Sequence, residues 1–435
     1  MIKTKKNNTI CGVIEVPGDK SITHRSIMLS ALANGTSIIR NYLLSDDCNR
    51  TIEAFRKMGV KIKVDKNDLC VDGLGLKLGD PVCKKYNIYA GNSGTTARLI
   101  SGILAWQNFE TIISGDDSLS VRPMQRIIDP LLKMGVNIKS NNGLLPLVIN
   151  GRKLLKSINY KSEKSTAQVK SAVLFAGLHA DGPTTYSEPI KSRDHSERML
   201  KSFGANINVN GNSITVYPLD ELIAQDIVIP GDISSAAFFI AAALIVPKSD
   251  LVIKNVGINP TRNGFIDVLK QMKANINLIN VREISNEPVC DIAIKYSKLK
   301  STNIDSSIVP RMIDEIPVFA LVASQADGVT KISGAEELRT KETDRINAVV
   351  SQFKKLGIQI ESSDDGFLIN GSASEEGLLT SNNTILDSFK DHRIAMTLSI
   401  ASLITKHEVT INDSDCVNIS FPSFYKILKS ICTQS

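Results

Sequence analysis

Hydrophobic residues along the chain follow two spacings that recur in a fixed order. A stretch with apolar residues at helical spacing ends near a glycine, and a stretch that alternates apolar and polar residues follows it. Such a glycine is typical of a helix C-terminus, and the alternation predicts a half-buried strand. The order occurs five times, at KMGVKIKV from Lys57, KMGVNIKS from Lys133, SFGANINV from Ser202, QMKANINL from Gln271 and KLGIQIES from Lys355, with a glycine in four of the five.

These helix-and-strand units are long. They recur roughly every 70 to 85 residues, far more than the period of a solenoid repeat. A second strand often follows the first, as in LLPLVING from Leu144. A sixth helix, from Pro422, ends the chain with no predicted strand after it. We expect the N-terminal strand TICGVIEVPG, from Thr9, to supply what this sixth unit lacks, which would place both termini in one domain.

A longer repeat points to a doubled architecture. IEVPGDKSI at Ile14 returns as IVIPGDISS at Ile227, 213 positions later and close to half of the 435 residues. A chain of this length exceeds one typical core, so two domains are the default. We therefore predict an α/β protein with two domains of three units each. They cover residues 18–230 and residues 1–17 with 231–435, and the two Pro-Gly-Asp turns lie at the crossings.

Composition narrows the class of protein. Hydrophobic residues make up 42% and charged residues 22%, as in ordinary globular proteins. The longest apolar run, AAFFIAAALIVP from Ala236, has about 12 residues, fewer than the roughly 18 that a membrane span needs. The basic N-terminus has neither the apolar region nor the cleavage site of a secretory signal. We expect a cytoplasmic protein without a membrane partner.

Cysteines and charge restrict the partners further. The seven cysteines, Cys83 among them, stand singly without a CxxC pair or a Cys/His cluster, which predicts a reducing compartment and no disulfide framework or zinc site. The net charge of +6 comes from 51 basic and 45 acidic residues that are interspersed. This balance favours a local pocket for an anionic small molecule over a nucleic-acid surface.

Donor and charged side chains stand where several predicted helices begin. PGDKSITHRSIM places Lys20, Ser21 and Arg25 at a helix start, where the helix dipole disfavours cations unless an anion joins them. Arg122 stands directly before Pro123, a natural first helical residue, although Pro130 interrupts the helical pattern, so that a later start or a kink is the alternative. Further starts carry Asn92 and Gly94 in AGNSGTTARL, Thr166 and Gln168 in KSTAQVKSAV, Asp314 in MIDEIP, Lys341, Glu342 and Arg345 in LRTKETDRI, and Arg393 after the N-cap Asp391 in FKDHRIAM.

Each of these stretches alone also has a purely structural explanation. A polar residue can cap its helix, and an exposed first turn can hold a salt-bridged pair worth a few tenths of a kcal/mol. Taken together, the cations favour several helices that converge on a strongly anionic ligand or pair of ligands. Arg binds phosphate or carboxylate bidentately, and Lys adds a point charge that can also move protons.

The chain carries, in order, the motifs PGDKSITHR, GNSGTTARL, SVRPM, AQVKSAVLFAGL, KSRDHSERM, MIDEIP, LRTKETDRI and DHRIAM. This set resembles that of the 5-enolpyruvylshikimate-3-phosphate synthase family over nearly the whole chain. The resemblance implies two similar domains of three βαβαββ-type units each, an inverse α/β barrel joined by two hinge crossings and closing over a central cleft. It implies a transferase of the shikimate pathway, which serves aromatic amino-acid biosynthesis.

The reaction that the resemblance implies joins phosphoenolpyruvate and shikimate 3-phosphate. The enolpyruvyl group moves to the 5-hydroxyl of shikimate 3-phosphate through a tetrahedral intermediate, and phosphate is released. The resemblance implies no metal and no organic cofactor, and we expect a monomer that acts on these small molecules and not on nucleic acid.

Site residues follow from the resemblance motif by motif. For shikimate 3-phosphate they are Lys20, Ser21, Arg25, Thr166, Ala167, Gln168, Arg193, Asp314 and Lys341. For phosphoenolpyruvate they are Lys20, Asn92, Gly94, Arg122, Gln168, Arg345 and Arg393. Those expected to move protons are Asp314, Glu342, Lys20 and Lys341.

Two positions bear on comparisons within the family. Alanine at the position of Gly94 accompanies resistance to glyphosate, an inhibitor that occupies the phosphoenolpyruvate site, so the retained glycine predicts a glyphosate-sensitive enzyme. The enteric and plant branch carries a lysine shortly before the FP of the last motif, whereas NISFP places Asn418, Ile419 and Ser420 here. A lysine contact from that loop is therefore not expected.

Two alternatives remain beside this interpretation. The sister enolpyruvyl transferase that acts on UDP-N-acetylglucosamine shares the fold, but it carries Lys-Asn in the first motif and usually a cysteine in the loop before Arg-Pro. Here Ser21 follows Lys20, and SGDDSLSVRP contains no cysteine. The second alternative is an RNA-binding or RNA-end-processing protein, and aromatic residues at 5% argue against the stacking platform that it would need.

Overall fold

The computed structural model of the chain describes residues 2–4, 9–66, 68–78, 85–372, 378, 381 and 383–433. Its helices are α1 (Lys20–Leu32), α2 (Asp46–Lys57), α3 (Gly94–Leu104), α4 (Asp117–Ser120), α5 (Gln125–Lys133), α6 (Ala167–Gly177), α7 (His195–Ser202), α8 (Ile233–Ile245), α9 (Gly264–Gln271), α10 (Ile316–Ser324), α11 (Arg345–Lys355), α12 (His392–Ala401) and α13 (Phe424–Ile431).

The strands are short and numerous. They are β1 (Ile2–Thr4), β2 (Thr9–Glu15), β3 (Ala33–Arg40), β4 (Lys61–Asp65), β5 (Asp68–Leu74), β6 (Lys85–Tyr89), β7 (Glu110–Ser114), β8 (Asn137–Asn141), β9 (Leu144–Asn150), β10 (Asn159–Lys161), β11 (Thr184–Ser187), β12 (Ile207–Asn210), β13 (Ser213–Val216), β14 (Leu222–Ile223), β15 (Ile227–Val228), β16 (Asp250–Gly257), β17 (Asn275–Ile284), β18 (Glu287–Lys295), β19 (Leu299–Lys300), β20 (Asn303–Ile304), β21 (Ala326–Ile332), β22 (Gln359–Ser363), β23 (Gly366–Gly371), β24 (Thr384–Asp387), β25 (Val409–Asn412) and β26 (Cys432–Thr433).

The chain divides by its internal contacts into two units. The N-terminal unit comprises Gly18–Ile229 and Ile284–Asn286, and the C-terminal unit comprises Met1–Pro17, Pro230–Glu283 and Glu287–Ser435. Each unit has its own cluster of buried apolar side chains.

One path of the chain is repeated in three of the sheets. Two strands linked by a helix pair in parallel, and a second helix leads to an antiparallel hairpin that adds to the same sheet. In β6–β7–β9–β8 the first pair is parallel and the next two are antiparallel. The same order occurs in β10–β11–β13–β12 and β19–β21–β23–β22. A parallel pair needs a crossover connection, and the helix in each repeat supplies it. The mixed sheets confirm the predicted α/β class.

The five predicted junctions all end a helix and lead into a strand. Gly59, Gly135, Gly204 and Gly357 have φ of 93°, 86°, 92° and 76°, the left-handed conformation that terminates a helix. In the fifth junction Lys273 takes this place with φ of 65°. A two-strand hairpin follows every junction, for example β4 and β5 after Gly59. The periodicity therefore located these units correctly, even where glycine is absent.

The last sheet corrects one expectation about the N-terminus. The strand that pairs antiparallel with β25 and adds to β24–β25 is β1, whereas β2, the expected strand from Thr9, pairs in parallel with β16. The C-terminal helix is also followed by a strand, since β26 pairs with β2 through Thr9–Thr433 and Ile10–Cys432. Alternation could not reveal these partners, because a strand of two or three residues has too few positions to show a period.

The first helix of each repeat lies inside its unit. In the N-terminal unit α3 packs against both α1 and α6, and Leu29, Ile100 and Val173 are fully buried. In the C-terminal unit α8, α10 and α12 pack against one another, and every residue of α8 is buried. A helix that is apolar on all sides belongs in a core. The apolar run from Ala236 is therefore an interior helix, and among the described residues no helix has the length and apolar character needed to cross a membrane.

The structure describes six of the seven cysteines, and these six can be compared with the expectation of no disulfide framework. Cys11, Cys48, Cys70, Cys290, Cys416 and Cys432 carry free thiols. Cys83 lies outside the described residues.

Candidate active site

The candidate residues of the N-terminal unit gather where its interior helices begin. Lys20 is the first residue of α1, Gly94 the first of α3 and Ala167 the first of α6. The Nε2 of Gln168 donates to Oγ1 of Thr95 at 3.1 Å, so the first turns of α3 and α6 are in direct contact. Helix N-termini carry partial positive charge and N–H groups without helical partners, which makes such a place favourable for an anion.

Lys20 stands on this positive end beside a carboxylate from the next helix. Its Nζ lies 3.0 Å from Oδ2 of Asp47, in the first turn of α2. The N-cap Asp19 accepts a hydrogen bond from the backbone N–H of Ile22 at 2.9 Å. The two acidic side chains compensate a cation that the helix dipole alone would disfavour. Asp47 gave no signal in the sequence, where it is one of two acidic residues in an ordinary first turn.

Arg25 is buried and connects three helices. Its Nε donates to Oγ of Ser196 at 2.7 Å, and its Nη2 donates to Oγ of Ser171 at 2.8 Å. Its Nη1 donates to the carbonyl of Ser21 at 2.9 Å. The guanidinium thus holds α1 against α6 and α7 through hydroxyl groups. Residues four apart share a helix face, which explains why Ser21 and Arg25 meet.

His24, between these residues, has a structural role. Its Nδ1 lies 2.7 Å from Oγ1 of Thr51, and a chain of hydroxyls continues to Thr96 and Ser93 at the start of α3. Burial, together with the charges of Lys20 and Arg25, lowers the pKa of His24 to about 3, and Asp19 opposes this shift. The imidazole is therefore neutral near pH 7 and serves as a hydrogen-bonding spacer.

Asn92 and Arg122 form a second group in this unit. The Nη2 of Arg122 donates to Oδ1 of Asn92 at 2.8 Å and to Oγ of Ser118 at 3.0 Å. The Nδ2 of Asn92 donates to Oδ2 of Asp116 at 2.9 Å, and Asp116 caps α4. Asn92 thus orients the guanidinium of Arg122 through its amide oxygen, while Asp116 orients the amide of Asn92.

The helix expected to begin at Pro123 does not begin there. The helix α5 starts at Gln125 and continues through Pro130, and Arg122 follows α4 instead of opening a helix. Pro123 is therefore not a first helical residue, and the alternative of a later start is the one that the structure shows. The short helix α4 was not predicted.

Arg98 joins the group around Gly94, although the sequence analysis did not single it out. Its Nη1 donates to Oε1 of Gln168 at 3.3 Å, and its Nη2 donates to the carbonyl of Pro123 at 3.2 Å. A Cβ on Gly94 would lie 2.5 Å from Nη1 of Arg98. The spacing of four residues from Gly94 was the available signal, since it places both on one helix face.

Thr166 and Arg193 complete this unit's candidates. Thr166 is the N-cap of α6, and its side chain makes no capping hydrogen bond. Arg193 is partly exposed and directly precedes Asp194, the N-cap of α7. Oγ of Ser165 accepts from the N–H of Ile190 at 2.9 Å, which ties the loop before Arg193 to the start of α6.

The C-terminal unit gathers its candidates around Arg345. This guanidinium is buried at the first residue of α11, and its Nε donates to Oδ2 of Asp391 at 2.8 Å. Its Nη2 donates to Oε2 of Glu342 at 2.6 Å, and its Nη1 lies 3.7 Å from Oδ1 of Asp314. Burial alone would lower the pKa of Arg345, but Asp391, Glu342 and Asp314 raise it above its ordinary value.

Arg393 approaches the same carboxylate from α12. Its Nη1 donates to the carbonyl of Asp314 at 3.0 Å, and its Nη2 lies 3.8 Å from Oδ2 of that residue. Asp391 is the N-cap of α12, as predicted, and accepts from the N–H of Arg393 at 2.8 Å. Its second role, as the buried partner of Arg345, was missed, because a capping position carries no sign of a distant ion pair.

Lys341 contributes an amine to this group, and its pKa is lowered. Burial lowers the pKa of its ammonium, Asp314, Glu337 and Glu342 oppose this, and Arg345 adds to it. A lysine with a lowered pKa can exchange protons nearer to neutrality than an exposed one. The structure thus brings Asp314, Lys341, Glu342, Arg345 and Arg393 into one cluster within this unit.

Known proteins resemble this chain over almost its whole length. The model of the family EPSP synthase (3-phosphoshikimate 1-carboxyvinyltransferase) matches residues 4–428. A 3-phosphoshikimate 1-carboxyvinyltransferase of Endomicrobium trichonymphae is 70% identical over 431 residues, which cover 99% of each chain. One from Thermoanaerobacter sp. strain X514 is 48% identical over 426 residues and 98% of each chain.

Solved structures show the same relationship. The EPSP synthase of Acinetobacter baumannii superposes with a TM-score of 0.87 at 41% identity, covering 99% of this chain and 98% of that one. The enolpyruvyl transferase NikO of Streptomyces tendae has a TM-score of 0.79 at 17% identity, covering 99% of this chain and 96% of that one, which shows a shared fold alone. The chain therefore belongs to the EPSP synthase (3-phosphoshikimate 1-carboxyvinyltransferase) family and is a transferase.

Proposed function

We propose that this protein transfers the enolpyruvyl group of phosphoenolpyruvate to the 5-hydroxyl of shikimate 3-phosphate and releases inorganic phosphate. The observation that carries the proposal is the cluster around Arg345, in which carboxylates, a lysine with lowered pKa and two guanidinium groups stand together. Such a set can bind anions and move protons in one place. The family match over residues 4–428 supports the same reaction.

Shikimate 3-phosphate has its proposed contacts mostly in the N-terminal unit. The first turn of α6 supports this assignment, because no side chain caps it and its backbone N–H groups remain suited to a phosphate. Arg25 and Lys20 supply positive charge at the start of α1. The proposed contacts are Lys20, Ser21, Arg25, Thr166, Ala167, Gln168 and Arg193, and in the C-terminal unit Asp314 and Lys341.

Phosphoenolpyruvate is a smaller and more charge-dense ligand, so guanidinium groups suit it best. Arg122 is aligned by Asn92 and Ser118, and Gly94, which has no side chain, lets the guanidinium of Arg98 stand beside the start of α3. The proposed contacts are Lys20, Asn92, Gly94, Arg122 and Gln168 in the N-terminal unit, and Arg345 and Arg393 in the C-terminal unit.

The chemistry requires one proton to leave the 5-hydroxyl and C3 to gain a proton and then lose one. The 5-hydroxyl oxygen bonds to C2 of phosphoenolpyruvate and loses its proton, while C3 gains one, which gives a tetrahedral ketal. In the second step C3 loses a proton, the C2–C3 double bond re-forms, and the C2–O bond to phosphate breaks. We assign Asp314 to the hydroxyl and Glu342 to C3, with Lys341 and Lys20 as further proton carriers.

The contacts of the cluster suit both carboxyl groups to these roles. Glu342 contacts Arg345 through Oε2, and its side chain is about one-fifth exposed, so the carboxyl retains access to a ligand. Asp314 lies between two arginines without being fully enclosed, and its side chain is 16% exposed. Neighbouring guanidinium groups orient a carboxylate and leave it accessible here.

We also propose the wider setting that the sequence predicts. The protein acts as a cytoplasmic monomer on small molecules and not on nucleic acid, with domains at residues 18–230 and 1–17 with 231–435. The free thiols of the described cysteines support a reducing compartment. The contact units, which change at residues 17–18 and 229–230, support the boundaries.

The decisive experiment measures phosphate release from phosphoenolpyruvate with each of two acceptors. Shikimate 3-phosphate should give rapid release, whereas UDP-N-acetylglucosamine should give none above the background without acceptor. Release with the nucleotide sugar alone would contradict the proposal. Binding to RNA that weakens as the salt concentration rises, without phosphate release from phosphoenolpyruvate in the presence of either acceptor, would support the nucleic-acid alternative instead.

A further inference from the structure

A buried ionic cluster lies just behind the proposed shikimate 3-phosphate contacts of the N-terminal unit. Lys170, in the first turn of α6, is fully buried, and its Nζ lies 3.0 Å from Oε1 of Glu188 and 2.8 Å from Oε1 of Glu197. Glu188 follows β11, and Glu197 lies in the first turn of α7. A lysine is rarely buried in full, and the two carboxylates of this cluster explain how one is accommodated at position 170.

Two members of the cluster form hydrogen bonds with Ser192, the residue before Arg193. Both the N–H and the Oγ of Ser192 donate to Oε1 of Glu188, at 2.7 and 2.8 Å. The carbonyl of Ser192 accepts from Nζ of Lys170 at 3.1 Å. This carbonyl belongs to the peptide bond that leads into Arg193, whereas the N–H belongs to the preceding peptide, so a charged side chain holds each of the two peptides that flank Ser192.

A purely stabilising role explains these charges poorly. Removing two carboxylates and an ammonium from water costs several kcal/mol for each ion, and well-packed apolar side chains often stabilise such a place better. Burial raises the pKa of Glu197, and the neighbouring Lys170 opposes this rise. Apolar side chains, however, cannot orient a peptide plane, which charge-assisted hydrogen bonds do.

We propose that Lys170 and Glu188 are positioning residues for shikimate 3-phosphate, which act by fixing the two peptides that flank Ser192 and with them the backbone that leads into Arg193. This inference rests on the proposed function, which assigns Arg193 to that substrate. Glu197 is the contrasting member of the cluster, because it pairs with Lys170 and makes no contact with Ser192.

The two carboxylates therefore offer a matched pair of variants. Glu188→Gln and Glu197→Gln each remove one negative charge from the same lysine, so both change the long-range field at the phosphate similarly. Only Glu188→Gln replaces the charged acceptor of the Ser192 hydrogen bonds with a neutral one, which weakens them. Binding of shikimate 3-phosphate to the full-length protein is measured by titration calorimetry without phosphoenolpyruvate, beside the thermal midpoint of each variant.

We expect Glu188→Gln to raise the Kd for shikimate 3-phosphate about tenfold and Glu197→Gln to raise it less than about twofold. Equal weakening by both variants, or wild-type binding by Glu188→Gln, would overturn the inference. A wild-type protein that does not bind shikimate 3-phosphate would overturn the proposed function itself, and this inference with it.

A milder pair of variants covers the case in which Glu188→Gln does not fold. Ser192→Ala removes one of the two hydrogen bonds to Glu188, and we expect it to raise the Kd about threefold. Its control is Ser187→Ala, which removes a hydroxyl that bonds to Ser213 in the neighbouring strand β13 at 2.7 Å. Wild-type affinity in Ser192→Ala, or equal losses in both variants, would overturn the inference.

Discussion

A Cβ placed on Gly94 would lie 2.5 Å from Nη1 of Arg98, one helical turn further along α3. No Cβ tolerates such a contact, but the obstructing atom is the far end of a flexible side chain. Alanine at position 94 therefore leaves the helix intact and moves the guanidinium away from Gln168, to which it donates at 3.3 Å. The glycine thus controls where a neighbouring cation stands.

Gly94→Ala should weaken inhibition by glyphosate at least about tenfold, equivalent to about 1.4 kcal/mol of binding. The wild-type protein should show inhibition that is competitive with phosphoenolpyruvate. Steady-state kinetics at several phosphoenolpyruvate concentrations measure both. As a control, Arg98→Met removes the guanidinium and keeps the glycine, and it should reproduce part of the effect. Unchanged inhibition in Gly94→Ala would contradict the prediction.

Glu342→Gln should fold normally and lose turnover by about 10²- to 10⁴-fold, the usual contribution of a positioned proton carrier. The amide oxygen still accepts the hydrogen bond that Nη2 of Arg345 donates, so the cluster keeps its geometry. The matched control is Glu337→Gln, which removes another carboxylate that faces Lys341. The control should keep turnover within about threefold of wild type. Wild-type turnover in Glu342→Gln would refute its role in proton transfer.

Arg345→Met should destabilise the protein by about 3–5 kcal/mol, because it leaves Asp391 buried without its guanidinium partner. Combining it with Asp391→Asn should recover much of this loss, since the buried charge is then gone and asparagine still caps α12. Urea unfolding of wild type, both single variants and the double variant measures the coupling. Strictly additive losses would show that the pair does not interact.

His24 should make the folded state sensitive to acid. Its pKa is lowered to about 3, so between pH 6.5 and 3 the unfolded chain binds one more proton at this residue than the folded chain does. Stability should therefore fall as pH falls through this window, by about 2 kcal/mol between pH 7 and pH 5 from this residue alone.

His24→Asn should flatten that part of the pH profile, measured by urea unfolding from pH 7 to pH 5. The variant keeps a side-chain polar group near Thr51, which bonds to the imidazole at 2.7 Å in the wild type. His179→Asn, at a partly exposed ring that packs on Trp106, serves as the control and should retain the slope due to His24. Equal slopes in wild type and His24→Asn would disprove the assignment.

The sequence largely predicted where helices end and where hairpins follow them, because both depend on residues that are neighbours in the chain. The junction glycines adopt positive φ, and the apolar spacing places each helix before its hairpin. The Pro-Gly-Asp echo also behaved as a local signal, since Asp19 and Asp232 cap α1 and α8 through hydrogen bonds of 2.9 and 2.8 Å. Capping acts within one turn, so a few residues suffice to reveal it.

The sequence did not predict the strand partners that are distant in the chain or the helix start that lacks a local signature. The strand β1 has three residues, too few to show alternation, yet it pairs with β25 near the opposite end of the chain. Pro123 has the sequence of a first helical residue, but α5 begins at Gln125 because the chain makes a short turn of helix before it. Here packing of distant segments overrides a local preference.

The sequence by itself predicted a set of candidate site residues and that most of them stand near helix starts, because residue type and capping are local properties. The tertiary structure decided which of them share a hydrogen bond. Arg345 meets Asp391 across 46 positions, and Lys170 meets Glu188 across 18. Such pairs depend on how helices pack, since their energies arise only when burial removes water from both charges.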